Sequence, residues 1–210
     1  MPKVMADNEE VNFQEGIPES PLHIYELLMG AFAEQKRSVI KFKVDGEDCL
    51  QSGKFPEHFE LIEAESLSHD EITLRLSIEL LNSMSNLGSE IDAYQVNILS
   101  IPWTEVFKQM DQFISKIQPF ADLIDHVLPY AQSYSPSWKN ELEEIAKRQG
   151  SVLDQLLKAF ERSDPAGLSN ELIIRFLPLH RDTCKLFTNE VIPSLKKAIG
   201  NEDSIEAKDA

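Results

Sequence analysis

The chain lacks most of what would announce a chemistry. It carries two cysteines, Cys49 and Cys184, in 210 residues. A disulfide framework needs more cysteines at close spacing, so free thiols in a reducing compartment are expected. No apolar run approaches the roughly 20 residues that span a bilayer. Met1 to Gln14 contains no apolar segment of a secretory leader. No membrane insertion is expected, and the cytoplasm is the default location. The glycines are isolated, no two closer than seven positions, which leaves no glycine-rich loop to cradle a phosphate.

Positive charge is also scarce. Twenty Lys and Arg face 36 Asp and Glu, a formal net charge of -16. The tight basic groups are the pairs Lys36-Arg37, Lys147-Arg148 and Lys196-Lys197. Nucleic-acid affinity comes largely from neutralising phosphates, so a nucleic-acid partner is not expected. An anionic membrane surface is disfavoured for the same reason. Strong acidity favours solubility and steers basic partners.

Metal and catalytic motifs are missing too. None of the five histidines, His23, His58, His69, His126 and His180, follows a Glu by three residues, the spacing of di-iron carboxylate bundles. There is no His-Glu-x-x-His and no Cys-x-x-Cys. Asp122 with His126, and His180 with Cys184, share a helical face at a spacing of four. Two ligands do not make a site, so an ion pair and a packed core pair are the expected roles. No Gly-x-Ser-x-Gly elbow occurs. His180-Arg181-Asp182 matches a kinase triplet by letters alone, without the rest of the kinase set. No catalytic residue, cofactor or metal is assigned from the sequence.

What is present is fold information. Ile40, Phe42 and Val44 alternate with Lys41 and Lys43, then run into Asp45-Gly46. That is strand period followed by a hairpin turn, since both central positions of a type I′ turn need positive φ. Glu47 to Leu50 is the return arm. Val4 to Val11 is a weaker copy, with Asp7-Asn8-Glu9 aligned on Asp45-Gly46-Glu47. It is either a duplicated hairpin or part of a disordered start over residues 1–19. Ser20-Pro21 opens a helix whose apolar stripe is Leu22, Tyr25, Leu28, Met29 and Phe32. Phe59 to Ala64 adds a strand. Residues 1–67 therefore read as a small β-β-α-β-β unit.

Ser68-His69-Asp70-Glu71 is a capping box. Ile72 to Leu87 fits either strand or helix period, and the box and the length favour helix. Gly88 is expected at a helix end and Ser89 at the next cap. A second helix, Glu90 to Ile117, should break at Pro102. Pro119 and Pro129 should bracket a short segment. Ser135-Pro136-Ser137 starts a helix, Asp164 to Gly167 is a turn, and Ser169 caps a last segment disturbed at Pro178 and Pro193. Residues 68–200 read as an antiparallel bundle of four to five helices, and 201–210 as a disordered acidic tail. The fold class is α+β, mostly α.

Trp103, Phe107, Met110, Phe113, Ile114 and Ile117 form an apolar stripe, with Trp138 as its counterpart on another helix. Such a stripe is core or partner surface, since aromatics and Met are enriched in both. Trp103, Phe107, Met110, Phe113 and Trp138 are the candidate interaction residues. The expected function is a non-enzymatic interaction module, acting on a protein partner or through self-association as a homodimer. The rival is an enzyme or small-ligand protein with a site at the junction of the two units.

Overall fold

A computed structural model describes residues 2–14 and 16–209, with side chains through residue 200. The chain divides into two units, Met1–Ile72 and Thr73–Ala210.

The first unit is a mixed five-stranded sheet with one long helix. Its elements are β1 (Lys3–Ala6), β2 (Glu9–Glu10), α1 (Pro21–Glu34), β3 (Arg37–Val44), β4 (Glu47–Asp48), the single turn α2 (Cys49–Ser52) and β5 (Leu61–Ser68). The order across the sheet is β2-β1-β5-β3-β4, with β1 parallel and β3 antiparallel to β5. The start of the chain is thus a hairpin rather than a disordered segment. Both hairpins turn through positive φ: Asp7 (49°) with Asn8 (69°), and Asp45 (50°) with Gly46 (90°).

Each turn aspartate then holds one end of β5. Asp45 Oδ1 accepts from the amides of Glu60 (3.0 Å) and Leu61 (2.8 Å). Asp7 Oδ1 accepts from the Ser66 amide (2.7 Å), and Asp7 Oδ2 from Ser66 Oγ (2.6 Å). Arg37 closes this second clamp: its Nε donates to Ser66 Oγ (2.8 Å) and its Nη2 lies 3.3 Å from Asp7 Oδ2.

The core between sheet and helix is small: Val4, Ile24, Leu28, Phe42, Val44, Cys49, Ile62 and Ala64. The buried stripe of α1 is Pro21, Ile24 and Leu28, while Leu22 and Met29 face outward. Of the expected stripe, Tyr25, Leu28 and Phe32 pack on this core, while Ile24 takes the place of Leu22 and Met29. The sheet is only a few strands wide and its edge strands have two residues each, so it covers one narrow helix face. Ser20 stands at the cap position without a side-chain hydrogen bond.

The capping box forms as expected. The Ser68 amide donates to Glu71 Oε2 (2.8 Å), and the Glu71 amide donates to Ser68 Oγ (3.2 Å). It starts α3 (His69–Ser83), which settles the helix-or-strand ambiguity. The next elements are α4 (Leu87–Asn97), α5 (Trp103–Lys108), α6 (Met110–Tyr134) and α7 (Lys139–Glu161), then α8 (Pro165–Glu171), α9 (Leu177–Leu186) and α10 (Ile192–Asp209). Pro102 separates α4 from α5, as its missing amide requires.

Other punctuation falls differently. Gly88 and Ser89 lie in the first turn of α4, because a turn at Met84 to Asn86 has already ended α3. Pro119 and Pro129 lie inside α6 instead of bracketing it. Burial of Phe113, Phe120, Leu123, Ile124, Val127 and Ala131 along one face outweighs their two lost backbone bonds. Asp164 to Gly167 is the start of α8, with the Gly167 amide donating to Asp164 Oδ1 (2.8 Å). Ser169 does not cap; its hydroxyl reaches Gln95 Oε1 on α4 (3.1 Å).

The two predicted disturbances are real. Between α8 and α9, and between α9 and α10, the helix widens into five-residue π turns, Leu172–Phe176 and Phe187–Val191. In each, the residue preceding the proline donates to the carbonyl five residues back: Leu177 to Leu172 and Ile192 to Phe187. The wider turn carries the helix past a residue that has no amide to give. The helical core holds Phe120, Trp138, Phe160, Phe176 and Phe187 among its largest members. The backbone of α10 continues through Asp209, where a disordered tail was expected; the side chains of 201–210 lie outside the described residues.

Candidate functional site

Gln109 is the shared cap of α5 and α6, so the predicted stripe spans two nearly consecutive helices. Phe113 is buried, and Trp103 and Met110 are half-buried against the core. Phe107 faces out, 56% exposed. Trp138 is fully buried at the start of α7, and its ring stacks on Tyr130 at 6.0 Å. The sequence paired Trp138 with the stripe; its stacking partner is instead a tyrosine late in α6, brought back by the tight turn at Ser135.

The stripe's rings meet two others that the sequence did not single out as partners. Tyr94 of α4 stacks on Phe113 at 4.8 Å. Phe113 lies 5.9 Å from Phe160 of α7, and Phe160 lies 5.7 Å from Trp103. Four rings from four helices thus form one chain. Apolar side chains stay outside around it. Phe107 is one turn after Trp103, Leu157 (57% exposed) is one turn before Phe160, and Ile114 (44%) adjoins Phe113.

A cleft of about 80 Å³ opens beside this chain, walled by Ile91 and Tyr94 on one side and Gln109, Gln112 and Phe113 on the other. Glu90 and Lys116 line it too, and their charges meet at 3.1 Å. The Tyr94 hydroxyl is buried with no hydrogen-bond partner among the described residues, and burial pushes its pKa up. It stays a neutral phenol.

Each described histidine has its own local surroundings. His180 is buried between the rings of Phe120 and Phe176, with Nε2 3.6 Å from Cys184 Sγ. Burial, then the Arg181 charge, pushes the His180 pKa down, and burial pushes the Cys184 thiol up. A nucleophilic pair needs thiolate beside imidazolium, and both shifts oppose that. His126 Nδ1 lies 2.7 Å from the backbone carbonyl of Asp122, whose carboxylate instead accepts from Gln118 (2.9 Å). The expected Asp122–His126 ion pair is therefore replaced by a backbone contact. His69 Nε2 lies 3.1 Å from Ser38 Oγ, a contact 31 residues apart in sequence that ties β3 to the first turn of α3. His58 is exposed in the approach to β5, and His23 lies 3.7 Å from Glu26 on α1. Among the described residues no group of three or more His, Cys, Asp and Glu is placed to hold a metal. No helix among them is long and apolar enough to cross a membrane.

No family model, curated protein or solved structure matches the chain. The functional reading therefore rests on this geometry.

Proposed function

We propose that the chain is a non-enzymatic protein-interaction module whose contact face is the surface around Trp103, Phe107, Met110 and Phe113. The observation that carries this reading is the trio Phe107, Ile114 and Leu157, left substantially exposed around a packed ring chain. Large apolar side chains over a rigid aromatic support are what interface anchors look like. The support is rigid because Trp103, Phe113 and Phe160 are held from three helices at once. The Cys184–His180 pair does not compete with this reading, since burial favours the neutral thiol and the neutral imidazole.

A photo-crosslinking residue in place of Phe107 tests it in intact cells. A discrete adduct is expected from position 107, none from an exposed control at Glu190, and loss of the adduct on Leu157→Asp. An adduct at twice the chain's mass identifies self-association; another mass identifies a different partner. No discrete adduct, or the same adducts from both positions, overturns the proposal.

The cleft beside Tyr94 and Phe113 favours a second reading, a small apolar ligand oriented by Gln109 and Gln112. Native mass spectrometry of the intact chain checks it: a bound mass lost on Phe113→Ala supports a ligand, and bare protein throughout counts against one.

A further inference from the structure

The two π turns are the same backbone device with different side chains. At the second, the outward positions are Thr188, Asn189 and Glu190. At the first they are Ile173, Ile174 and Arg175, and there the turn borders a groove of about 200 Å³. Arg148, Ser151 and Val152 of α7 form one wall, and Ile174, Arg175 and Pro178 the other. Two guanidinium groups and no carboxylate line this groove, on a chain of net charge -16.

The carboxylates stand at its margins. Asp182 Oδ2 lies 2.9 Å from Arg148 Nη2, and Glu171 Oε2 lies 3.5 Å from Arg175 Nε. Each orients one edge of its guanidinium. A guanidinium carries five donors in a fixed fork, so each keeps further N–H groups to offer beyond its one ion pair. Pre-orientation lowers the entropic cost of engaging an anion. Val152, Ile174 and Pro178 supply an apolar wall beside these donors, and Ile174 is 61% exposed.

We propose that this groove binds an organic oxyanion, a phosphate monoester or a carboxylate borne on an apolar group. Arg148 and Arg175 grip the anion, the Ser151 hydroxyl donates to it, and Ile174 and Pro178 hold the apolar part. The widened turn matters because it sets Ile174 and Arg175 outward on consecutive positions beside α7. Pro178 serves twice, enforcing the turn and forming part of the wall. This inference is independent of the contact face around Phe107.

The test is titration of the full chain, followed by amide proton–nitrogen spectra, with phenyl phosphate and benzoate. Inorganic phosphate and benzyl alcohol are the anion-only and apolar-only arms. Saturable shifts are expected at Ser151, Ile174 and Arg175, with phenyl phosphate binding about tenfold tighter than inorganic phosphate. Arg175→Gln and Arg148→Gln should each weaken it about tenfold, the worth of a charge-assisted hydrogen bond. Glu190→Gln, on the second π turn, should leave it unchanged. N-acetylphenylalanine against its amide isolates the carboxylate's share of binding on a peptide-like frame, and equal affinity of the two would overturn the carboxylate arm. No saturable binding up to about 10 mM of either aromatic probe overturns the proposal. So does affinity unchanged by Arg175→Gln, or shifts centred on Lys196 and Lys197 instead.

Discussion

The two units reach order by different means. The sheet unit has sixteen Asp and Glu against six Lys and Arg within residues 1–72, and buries eight apolar side chains among its described residues. The helical unit has sixteen against thirteen within 73–200 and buries twenty-seven. A core of eight side chains in a charged unit leaves little margin, since small domains bury proportionally less of their surface. The sheet unit adds hydrogen-bonded clamps: two turn aspartates, one at each end of β5, fix a strand that packing alone would hold weakly. The helical unit relies on apolar fit and tolerates two prolines inside one helix and two π turns in another run. Where packing is abundant, backbone irregularity is absorbed; where it is scarce, specific polar contacts carry the register.

Removing one ring from the helical core should give the largest effect. Phe176 is fully buried against Phe120 and His180, so Phe176→Ala should cost about 3–5 kcal/mol. Both tryptophans, Trp103 and Trp138, belong to this unit, so tryptophan fluorescence during urea unfolding measures it directly. A cost under about 1 kcal/mol would mean the core closes over the gap, and the contrast between units would fail.

The next largest effect sharpens the role of the clamps. Asn tolerates the positive φ of both turns, so Asp→Asn isolates the side-chain contacts. Asp45 uses Oδ1 alone for both of its amides, and an Asn keeps that oxygen. Asp7 uses both oxygens and faces Arg37, so an Asn turns a donor toward Ser66 Oγ and the guanidinium. Asp7→Asn should cost about 2 kcal/mol and Asp45→Asn less than about 0.5. Hydrogen exchange of the β5 amides reads the difference, with Ser66 loosening in the first variant and Leu61 protected in the second. Equal effects would show that position in the hairpin, not the number of oxygens engaged, sets the strength of a clamp.

The smallest effect is a pH dependence inside the helical unit. His180 has its folded-state pKa pushed below the ordinary 6.5, mainly by burial. The unfolded state then binds a proton more readily, so stability is unaffected well above 6.5 and declines as pH falls through that value. The urea midpoint should drop between about pH 7.5 and about pH 5.5, and drop less in His180→Phe. An identical drop in both would assign the acid sensitivity to carboxylates instead.

Local signals were the legible ones. Asp45-Gly46, the capping box at Ser68 and Glu71, and the break at Pro102 each act within a few residues, and all three stand in the structure. The aligned Asp7-Asn8 turn was visible as a copy, yet its grip on Ser66, 59 residues away, was not. Ser169 shows the same limit: its cap-like spelling is overridden by a contact with Gln95, 74 residues away. At the candidate surface, the stripe from Trp103 to Phe113 could be read, but not which member faces out. That depends on Tyr94 and Phe160, which approach from other helices and leave Phe107 uncovered. The Arg148–Arg175 groove had no sequence signature at all, because its walls lie a helix apart and one of them exists only through a π turn.

Both margins of the sheet are two residues long and acidic, Glu9–Glu10 on one side and Glu47–Asp48 on the other. An open strand edge is a template on which further chains can pair. Each of these two strands offers at most a pair of bonds, and it meets like charge on every copy. The same acidic residues that give the sequence its lopsided charge thus discourage edge-to-edge pairing at these four positions.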